Sequence, residues 1–189
     1  DNPDALGIVL NYPNQNQEIL TKSKVVLTNN ISEIIKPNTP CVGFIGAGNY
    51  ASRTLIPAFK EAGAVLDTLV TSGGISGVHH GNKNQLVTAS TNVEDLWGND
   101  SINTVSIVTR HDAHAQQVID ALNSGKNVFV EKPLALTLDE LDEIDTSYHK
   151  ANKSNTVRLM VGFNRRYAPH VVKMKKLLDS HRSPKSIIM

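Results

Sequence analysis

Two glycines and a small residue, Gly46, Gly48 and Ala51, have the spacing of a phosphate-binding turn in "GFIGAGNYASRTLIPAF". The first glycine permits a tight turn, the second lets the backbone approach a pyrophosphate, and the small third residue allows helix–strand packing. The amides of Asn49 and Tyr50 join those of Gly48 and Ala51 at the start of a predicted helix, whose dipole favours negative charge. The pattern predicts a dinucleotide site, and a purely structural turn is the alternative.

Glu131 and Lys132 precede a proline in "VFVEKPLALT", at the carboxyl end of a predicted buried strand. Ligands of open α/β sheets bind at that edge. Pro133 disfavours helical geometry in the residue before it, so we expect Lys132 to project in a defined direction. A lysine in a partly dry cleft loses its proton more readily and can exchange it with a substrate hydroxyl. The spacing is equally compatible with a strand-ending lysine that extends into water.

Strands and helices alternate from residue 41 onward, which is typical of a parallel sheet covered on both faces. The polar segment after the second predicted strand is predicted as neither helix nor strand. The predicted strands are 41–45, 64–71, 87–90, 102–109, 127–133 and 156–163, and the predicted helices are 49–62, a turn at 92–97, 113–125 and 137–152. We therefore expect an α/β fold, a Rossmann-like doubly wound parallel sheet, followed by the start of a truncated second α/β domain.

The sequence divides into three parts. Residues 1–37 carry two strand-like runs and lack the regular alternation of strands and helices, so we interpret them as the tail of a preceding domain plus a linker that ends in "PNTP". Residues 38–163 form the predicted dinucleotide-binding domain. Residues 164–189 contain one helix and the strand-like "SPKSIIM", and they are interpreted as the incomplete start of a substrate and oligomerisation domain.

The composition excludes several kinds of partner. The chain has 19 basic and 18 acidic side chains and a formal charge of +1, so no field of one sign draws in nucleic acid or an anionic membrane. No run approaches the 18 uninterrupted apolar residues of a membrane span, and we expect a cytoplasmic protein. The single cysteine, Cys41, lies within a predicted strand and is interpreted as a core residue.

The choice between NAD and NADP depends on the end of the second strand. An NAD site commonly has an acidic residue about 20 positions after the glycines, at the carboxyl end of that strand. Asp67 has this spacing, but it falls near the start of the strand and is interpreted as solvated. Thr71, Ser72 and Gly73 occupy the carboxyl end, where they would face the adenosine ribose and tolerate a 2′-phosphate. NADP is slightly favoured over NAD.

Three separated motifs, "GFIGAGNYA", "EKPLALTLDEL" and "VGFNRRYAPHV", strongly resemble the glucose–fructose oxidoreductase / inositol dehydrogenase family (Gfo/Idh/MocA). The resemblance implies an NAD(P)-dependent oxidoreductase with a Rossmann-like domain, a second α/β domain and a sugar, cyclitol or related carbinol as substrate. It places Lys132 near nicotinamide and substrate, often before a cis peptide bond. It also implies a full-length homo-oligomer assembled through the second domain.

The stretch "VTRHDAHA" matches the same family at Thr109 and His114, which are expected near the nicotinamide. Arg110 and His111 replace the family's proline and asparagine, so contacts there are uncertain. This departure, with "TSGGISG", resembles a subgroup in which the domain follows a zinc-type alcohol dehydrogenase domain. His111 and His114 also raise the possibility of zinc, but without a third ligand we expect no metal site.

Arg165 and Arg166 of "NRRYAP" are expected either to line the substrate cleft, as the family motif suggests, or to pair with carboxylates such as Glu131. The family also implies an aspartate and a histidine, four residues apart in the second domain, as acid–base partners. No such pair occurs after Arg166. We therefore expect these residues to bind cofactor but to turn over poorly. The alternative function is a non-catalytic NAD(P)-binding sensor or assembly module.

Overall fold

The structure, a computed structural model, describes residues 22–28, 39–154, 156–179, 183–184 and 186. Seven strands of these ranges form one sheet in the order β1-β4-β3-β2-β5-β6-β7. All neighbouring pairs are parallel except β1 and β4, which are antiparallel. The strands are β1 (Lys24–Val26), β2 (Cys41–Ile45), β3 (Val65–Val70), β4 (Thr88–Ser90), β5 (Thr104–Ile107), β6 (Asn127–Val130) and β7 (Leu159–Val161).

Helices provide the crossovers that successive parallel strands require. The first helix starts with a π-helical turn, Ala51–Leu55, and continues as α1. Short 3-10 turns, His111–Ala113 and Asn164–Tyr167, precede two of the other helices. The α-helices are α1 (Ile56–Glu61), α2 (Gly74–Asn84), α3 (Glu94–Trp97), α4 (His114–Asn123), α5 (Leu138–Ser154) and α6 (Pro169–Asp179).

Both faces of the sheet are covered, because alternate residues of β2 belong to two different core clusters. Cys41 and Ile45 pack with residues of α4 and α5. Val42 and Phe44 pack on the opposite face with Ile56 of α1. The strand order and the helices on both faces confirm the predicted Rossmann-like doubly wound fold.

Helix α2 is the element that the sequence did not predict. Its sequence, "GISGVHHGNKN", is rich in glycine, which disfavours a helix. Two of these glycines lie where the helix contacts its neighbours. A Cβ at Gly77 would stand 2.7 Å from the Thr71 hydroxyl, and one at Gly81 would overlap the Leu27 side chain. Close packing of α2 against the sheet therefore outweighs its poor helix propensity.

Strand β1 comes from the segment that the sequence assigned to an N-terminal tail. It pairs with β4 at the edge of the sheet, and Leu27 donates its amide to the Val87 carbonyl at 2.7 Å. Thr91 donates its amide to the Ser23 carbonyl at 2.8 Å. The predicted first strand of residues 1–37 and most of "SPKSIIM" lie outside the described residues.

The prediction that Asp67 is solvated was wrong. The residue is 3% exposed, within β3. Its carboxylate accepts hydrogen bonds from the Thr68 hydroxyl at 2.6 Å and the Asn99 amide at 3.0 Å. The Cys41 thiol lies 4.0 Å from the same carboxylate. These donors satisfy the buried charge, so Asp67 belongs to a polar network inside the sheet.

Cys41 should not react with thiol reagents while the protein is folded. Its side chain is fully buried, and burial together with the nearby Asp67 carboxylate raises its pKa to about 12. Because the thiolate is the reactive form, alkylation by iodoacetamide at pH 8 requires unfolding. Mass spectrometry should find no label under native conditions and full label in guanidinium chloride. Fast native labelling would contradict this burial.

Candidate functional site

The turn after β2 has the conformation that the glycine pattern predicts. Gly46 has a φ of 100°, and a Cβ there would overlap the Val108 carbonyl. Its amide donates to the Val70 carbonyl at 2.8 Å, which fixes the turn between β3 and β5. A Cβ at Gly48 would meet nothing within 4 Å. Gly46 is thus required by the protein itself, whereas the space beside Gly48 is open to a ligand.

The first residues of the helix after this turn, Asn49 to Ala51, line the lysine cleft. The first amides of a helix have no partner within it. Ser52 donates both its amide and its hydroxyl to the Gly48 carbonyl, at 2.9 and 3.0 Å. Ala51 is fully buried, so a larger side chain could not replace it without displacing the helix. The local structure can therefore cradle an anion.

A cleft of about 860 Å³ lies beside the turn, and we call it the glycine-turn cleft. It contains the predicted residues Gly46, Gly48, Thr71, Ser72 and Thr109. The Thr71 hydroxyl donates to the Gly73 carbonyl at 2.8 Å. The cleft is also lined by residues that the sequence did not assign: Ile45, Ala47, Val70, Ser76, Thr91, Asn92, Val93, Val108, Arg110, Asp112, Ala113 and Gln117.

A second cleft of about 410 Å³, the lysine cleft, adjoins the first and shares Gly48, Val108 and Thr109 with it. It joins the amino end of the first helix to the segment after β6. Its lining is Gly48, Asn49, Tyr50, Ala51, Val108, Thr109, His111, His114, Glu131, Lys132 and Asn164. The phosphate turn and the lysine motif, far apart in the sequence, thus meet at one edge of the sheet.

Lys132 and Glu131 differ in their surroundings. The Lys132–Pro133 peptide bond is cis, and the Lys132 side chain is exposed. The described residues therefore do not provide the partly dry environment that the sequence suggested for this lysine. Glu131 instead has one buried oxygen, Oε1, without a hydrogen-bond partner among the described residues. Oε1 faces Gly162, where an added Cβ would stand 2.8 Å from it, so Glu131 can meet a ligand only through the part of its side chain that lines the lysine cleft.

His114 is fully buried between two loops of the site. Its Nδ1 lies 2.7 Å from the Pro133 carbonyl oxygen, and its Nε2 lies 3.2 Å from the Thr109 carbonyl oxygen. The His111 ring packs against it, with 5.6 Å between centroids. Because both nitrogens face protein carbonyls, His114 holds the lysine segment against the loop after β5 and has little freedom to bond a cofactor directly.

Arg165 and Arg166 are exposed in the 3-10 turn after β7, outside both clefts. The Arg166 guanidinium donates to the Phe163 carbonyl at 3.2 Å and lies 5.4 Å from the Tyr167 ring centroid. In the described part of the chain, neither arginine pairs with Glu131. Asn164 lines the lysine cleft instead. The motif "NRRYAP" indicates this turn, but in the sequence only its two arginines suggest ligand binding, and nothing there distinguishes Asn164.

The described residues contain no group of three or more histidine, cysteine, aspartate or glutamate side chains placed to hold a metal ion. Among the helices of the same ranges, none combines the length and apolar character needed to cross a membrane.

Comparison with known proteins gives matches to the same part of the chain. A model of GFO_IDH_MocA, the oxidoreductase family with an NAD-binding Rossmann fold, matches residues 41–163. Oxidoreductase P35 of Formosa agariphila is 34% identical over 140 residues, which cover 74% of this chain and 42% of that protein. The inositol 2-dehydrogenase/D-chiro-inositol 3-dehydrogenase of Lactiplantibacillus plantarum is 32% identical over 150 residues, which cover 78% of this chain and 41% of that protein.

The solved structures give a similar result. The crystal structure of an oxidoreductase domain protein from Kribbella flavida matches with a TM-score of 0.67 at 27% identity, and the match covers 75% of this chain and 38% of that one. The chain spans about two-fifths of the length of these curated relatives. The family match, over residues 41–163, contains every lining residue of the two clefts except Asn164.

Proposed function

Because this chain belongs to the Gfo/Idh/MocA oxidoreductase family, with its NAD-binding Rossmann fold, we propose that its two clefts bind one NAD(P) molecule end to end. Lys132 then faces the substrate. The reaction is hydride transfer between this cofactor and a carbon-bound hydroxyl or carbonyl group. The observation that carries the proposal is the continuity of the two clefts, which join the phosphate turn to Lys132.

The chain's own groups fit the cofactor in separate places. Open space at Gly48 lets the backbone approach a pyrophosphate, and the first amides of the helix donate to it. Thr71 and Ser72 face the adenosine ribose. The Glu131 carboxylate, which lines the lysine cleft, accepts a hydrogen bond from a ribose hydroxyl. When bound, the nicotinamide supplies or accepts the hydride.

Lys132 orients the substrate oxygen and moves its proton. In reduction its ammonium gives a proton to the carbonyl oxygen as the carbonyl carbon accepts the hydride. In oxidation its neutral amine takes the hydroxyl proton as the hydride leaves. His114 holds the segment that carries Lys132 in place, through the contact of its Nδ1 with the Pro133 carbonyl oxygen. Because Lys132 is exposed in the described structure, the substrate and residues outside these ranges must exclude water from it during reaction.

The substrate is a sugar, a cyclitol or a similar carbinol. This class rests on the motif resemblance and on the relative whose name includes inositol 2-dehydrogenase. The whole protein assembles as a homo-oligomer. Since these 189 residues cover about two-fifths of the length of their relatives, we expect them to bind cofactor with little turnover. Arg165 and Arg166 contribute to the substrate side in that assembly. The part of residues 1–37 before β1 is the tail of a preceding zinc-type alcohol dehydrogenase domain, whereas β1 itself pairs with β4 in the sheet of this domain.

Calorimetric titration of this chain with NADPH and with NADH tests cofactor binding directly. We expect both to bind and NADPH to bind somewhat more tightly, since Ser72 and Gly73 offer no carboxylate to repel a 2′-phosphate. If neither nucleotide binds to the folded chain, the proposed function is wrong.

Ser72→Asp should reverse the preference between the two cofactors. A carboxylate at the end of β3 repels a 2′-phosphate and can accept hydrogen bonds from the ribose hydroxyls of NADH. We expect NADPH affinity to fall about tenfold or more, which corresponds to one lost or repulsive charged contact of about 1.4 kcal/mol. Ser72→Asn, which has the same shape without the charge, is the control. Equal losses in both variants would exclude the electrostatic explanation.

A further inference from the structure

A hydrogen bond joins the phosphate turn to the segment after the last strand of the sheet. The side-chain amide of Asn164 donates to the hydroxyl oxygen of Tyr50 over 3.1 Å, between residues 114 positions apart. Tyr50 lies two positions after Gly48, at the amino end of the first helix. Asn164 begins the 3-10 turn after β7. Both residues line the lysine cleft, so this contact is part of its wall.

The contact leaves the Tyr50 hydroxyl with a proton to donate. Its oxygen accepts from Asn164, and no acceptor for its own proton occurs in the part of the chain that the structure describes. An oxygen that accepts one hydrogen bond becomes a better donor in another. Tyr50 is 39% exposed, so a ligand can reach it. Asn164 therefore fixes and strengthens a donor at the cleft.

The lysine cleft thus offers two complementary groups to a nucleotide, and Lys132 lines the same cleft on the proposed substrate side. The Tyr50 hydroxyl donates, and the Glu131 carboxylate accepts. The nicotinamide half of a dinucleotide presents ribose hydroxyls and a carboxamide oxygen. Tyr50 belongs to the helix that begins at the phosphate turn. Its hydroxyl is therefore closer to the cofactor than to the substrate, and we expect it to donate to the cofactor.

We propose that Asn164 is a positioning residue for the cofactor, which holds the Tyr50 hydroxyl so that it donates to an oxygen in the nicotinamide half of the bound dinucleotide. This inference rests on the proposed function and adds two side-chain roles to it. Tyr50 acts through its hydroxyl as well as through its backbone amide. Asn164 acts only through Tyr50, so removing either group has the same consequence.

The test compares Tyr50→Phe, Asn164→Asp and the double variant by calorimetric titration of this chain with NADH and with ADP. Tyr50→Phe keeps the ring and removes the hydroxyl. Asn164→Asp keeps the shape but replaces the amide donor with a carboxylate, which accepts the tyrosine proton and withdraws it from the ligand. We expect each variant to bind NADH about three- to tenfold more weakly, the range of one net hydrogen bond, and the double variant to be no worse than the singles.

ADP lacks the nicotinamide half, so its affinity should be the same in all variants. Tyr167→Phe removes a hydroxyl from the same 3-10 turn, outside the cleft, and should change neither affinity. Unchanged NADH affinity in Tyr50→Phe, additive losses in the double variant, or an equal loss of ADP affinity would each overturn the inference while leaving the proposed function in place. Failure of the unmodified chain to bind NADH and NADPH would overturn both.

Discussion

Replacing Lys132 with methionine should lower turnover of the full-length protein by about a hundredfold or more, because a positioned acid–base group typically contributes 10²- to 10⁴-fold. Methionine retains most of the length of the side chain and removes the ammonium. Lys132 is exposed and makes no hydrogen bond or ion pair within the described ranges, so its removal should leave the fold unchanged. The measurement is the steady-state rate with a sugar or cyclitol that the unmodified protein oxidises.

Cofactor affinity separates this prediction from a loss of binding. The Lys132→Met variant should bind NAD(P)H as the unmodified protein does, since the proposed pyrophosphate site is at Gly48 and not at the lysine. Lys132→Arg is the matched control, because it keeps the positive charge but is not deprotonated in proteins. We expect it to restore substrate binding more than turnover. Full turnover in Lys132→Met would contradict the proposed role of Lys132, whereas an unmodified full-length protein that binds NAD(P)H without turnover would favour the non-catalytic sensor.

The elements that carry strong local signals were predictable from the sequence. Strand β2 and the helix after it are indicated by an apolar run, a glycine turn and apolar residues at helical spacing, and they occur within one or two residues of the predicted bounds. Their pattern is local, so it does not depend on where the chain goes next. Strand β6 begins at the predicted residue 127 but ends at Val130, three residues before the predicted end, so the lysine motif follows the strand.

Features that depend on partners distant in the sequence were not predictable. Asp67 lies near the start of its strand, which suggested a solvated carboxylate. Only the positions of Asn99 and Cys41 in space show why a carboxylate can be buried there. Helix α2 depends on contacts that its glycines allow with Leu27 and Thr71. The role of Asn164 can be inferred only from its hydrogen bond with Tyr50. Each of these roles arises from a contact across the fold, which periodicity and composition do not encode.

Substitution of the two glycines of the phosphate turn should have different effects, one on cofactor affinity and the other on protein stability. Gly48→Val should fold normally, because a Cβ there meets nothing within 4 Å, but its side chain occupies the space for the pyrophosphate. Loss of two hydrogen bonds to a charged group, at about 1.5 kcal/mol each, lowers NAD(P)H affinity about a hundredfold. Calorimetry measures the affinity, and circular dichroism checks the fold.

Gly46→Ala should instead destabilise the protein itself. Alanine disfavours a φ of 100°, and its Cβ would overlap the Val108 carbonyl. Strain of about 1–3 kcal/mol lowers the melting temperature by several degrees in a protein of this size. Gly63→Ala is the matched control, because Gly63 also has a positive φ, of 87°, but has open space around its Cβ and lies outside both clefts. It should lose some stability and no cofactor affinity. A folded Gly48→Val variant with normal affinity would show that the nucleotide is held elsewhere.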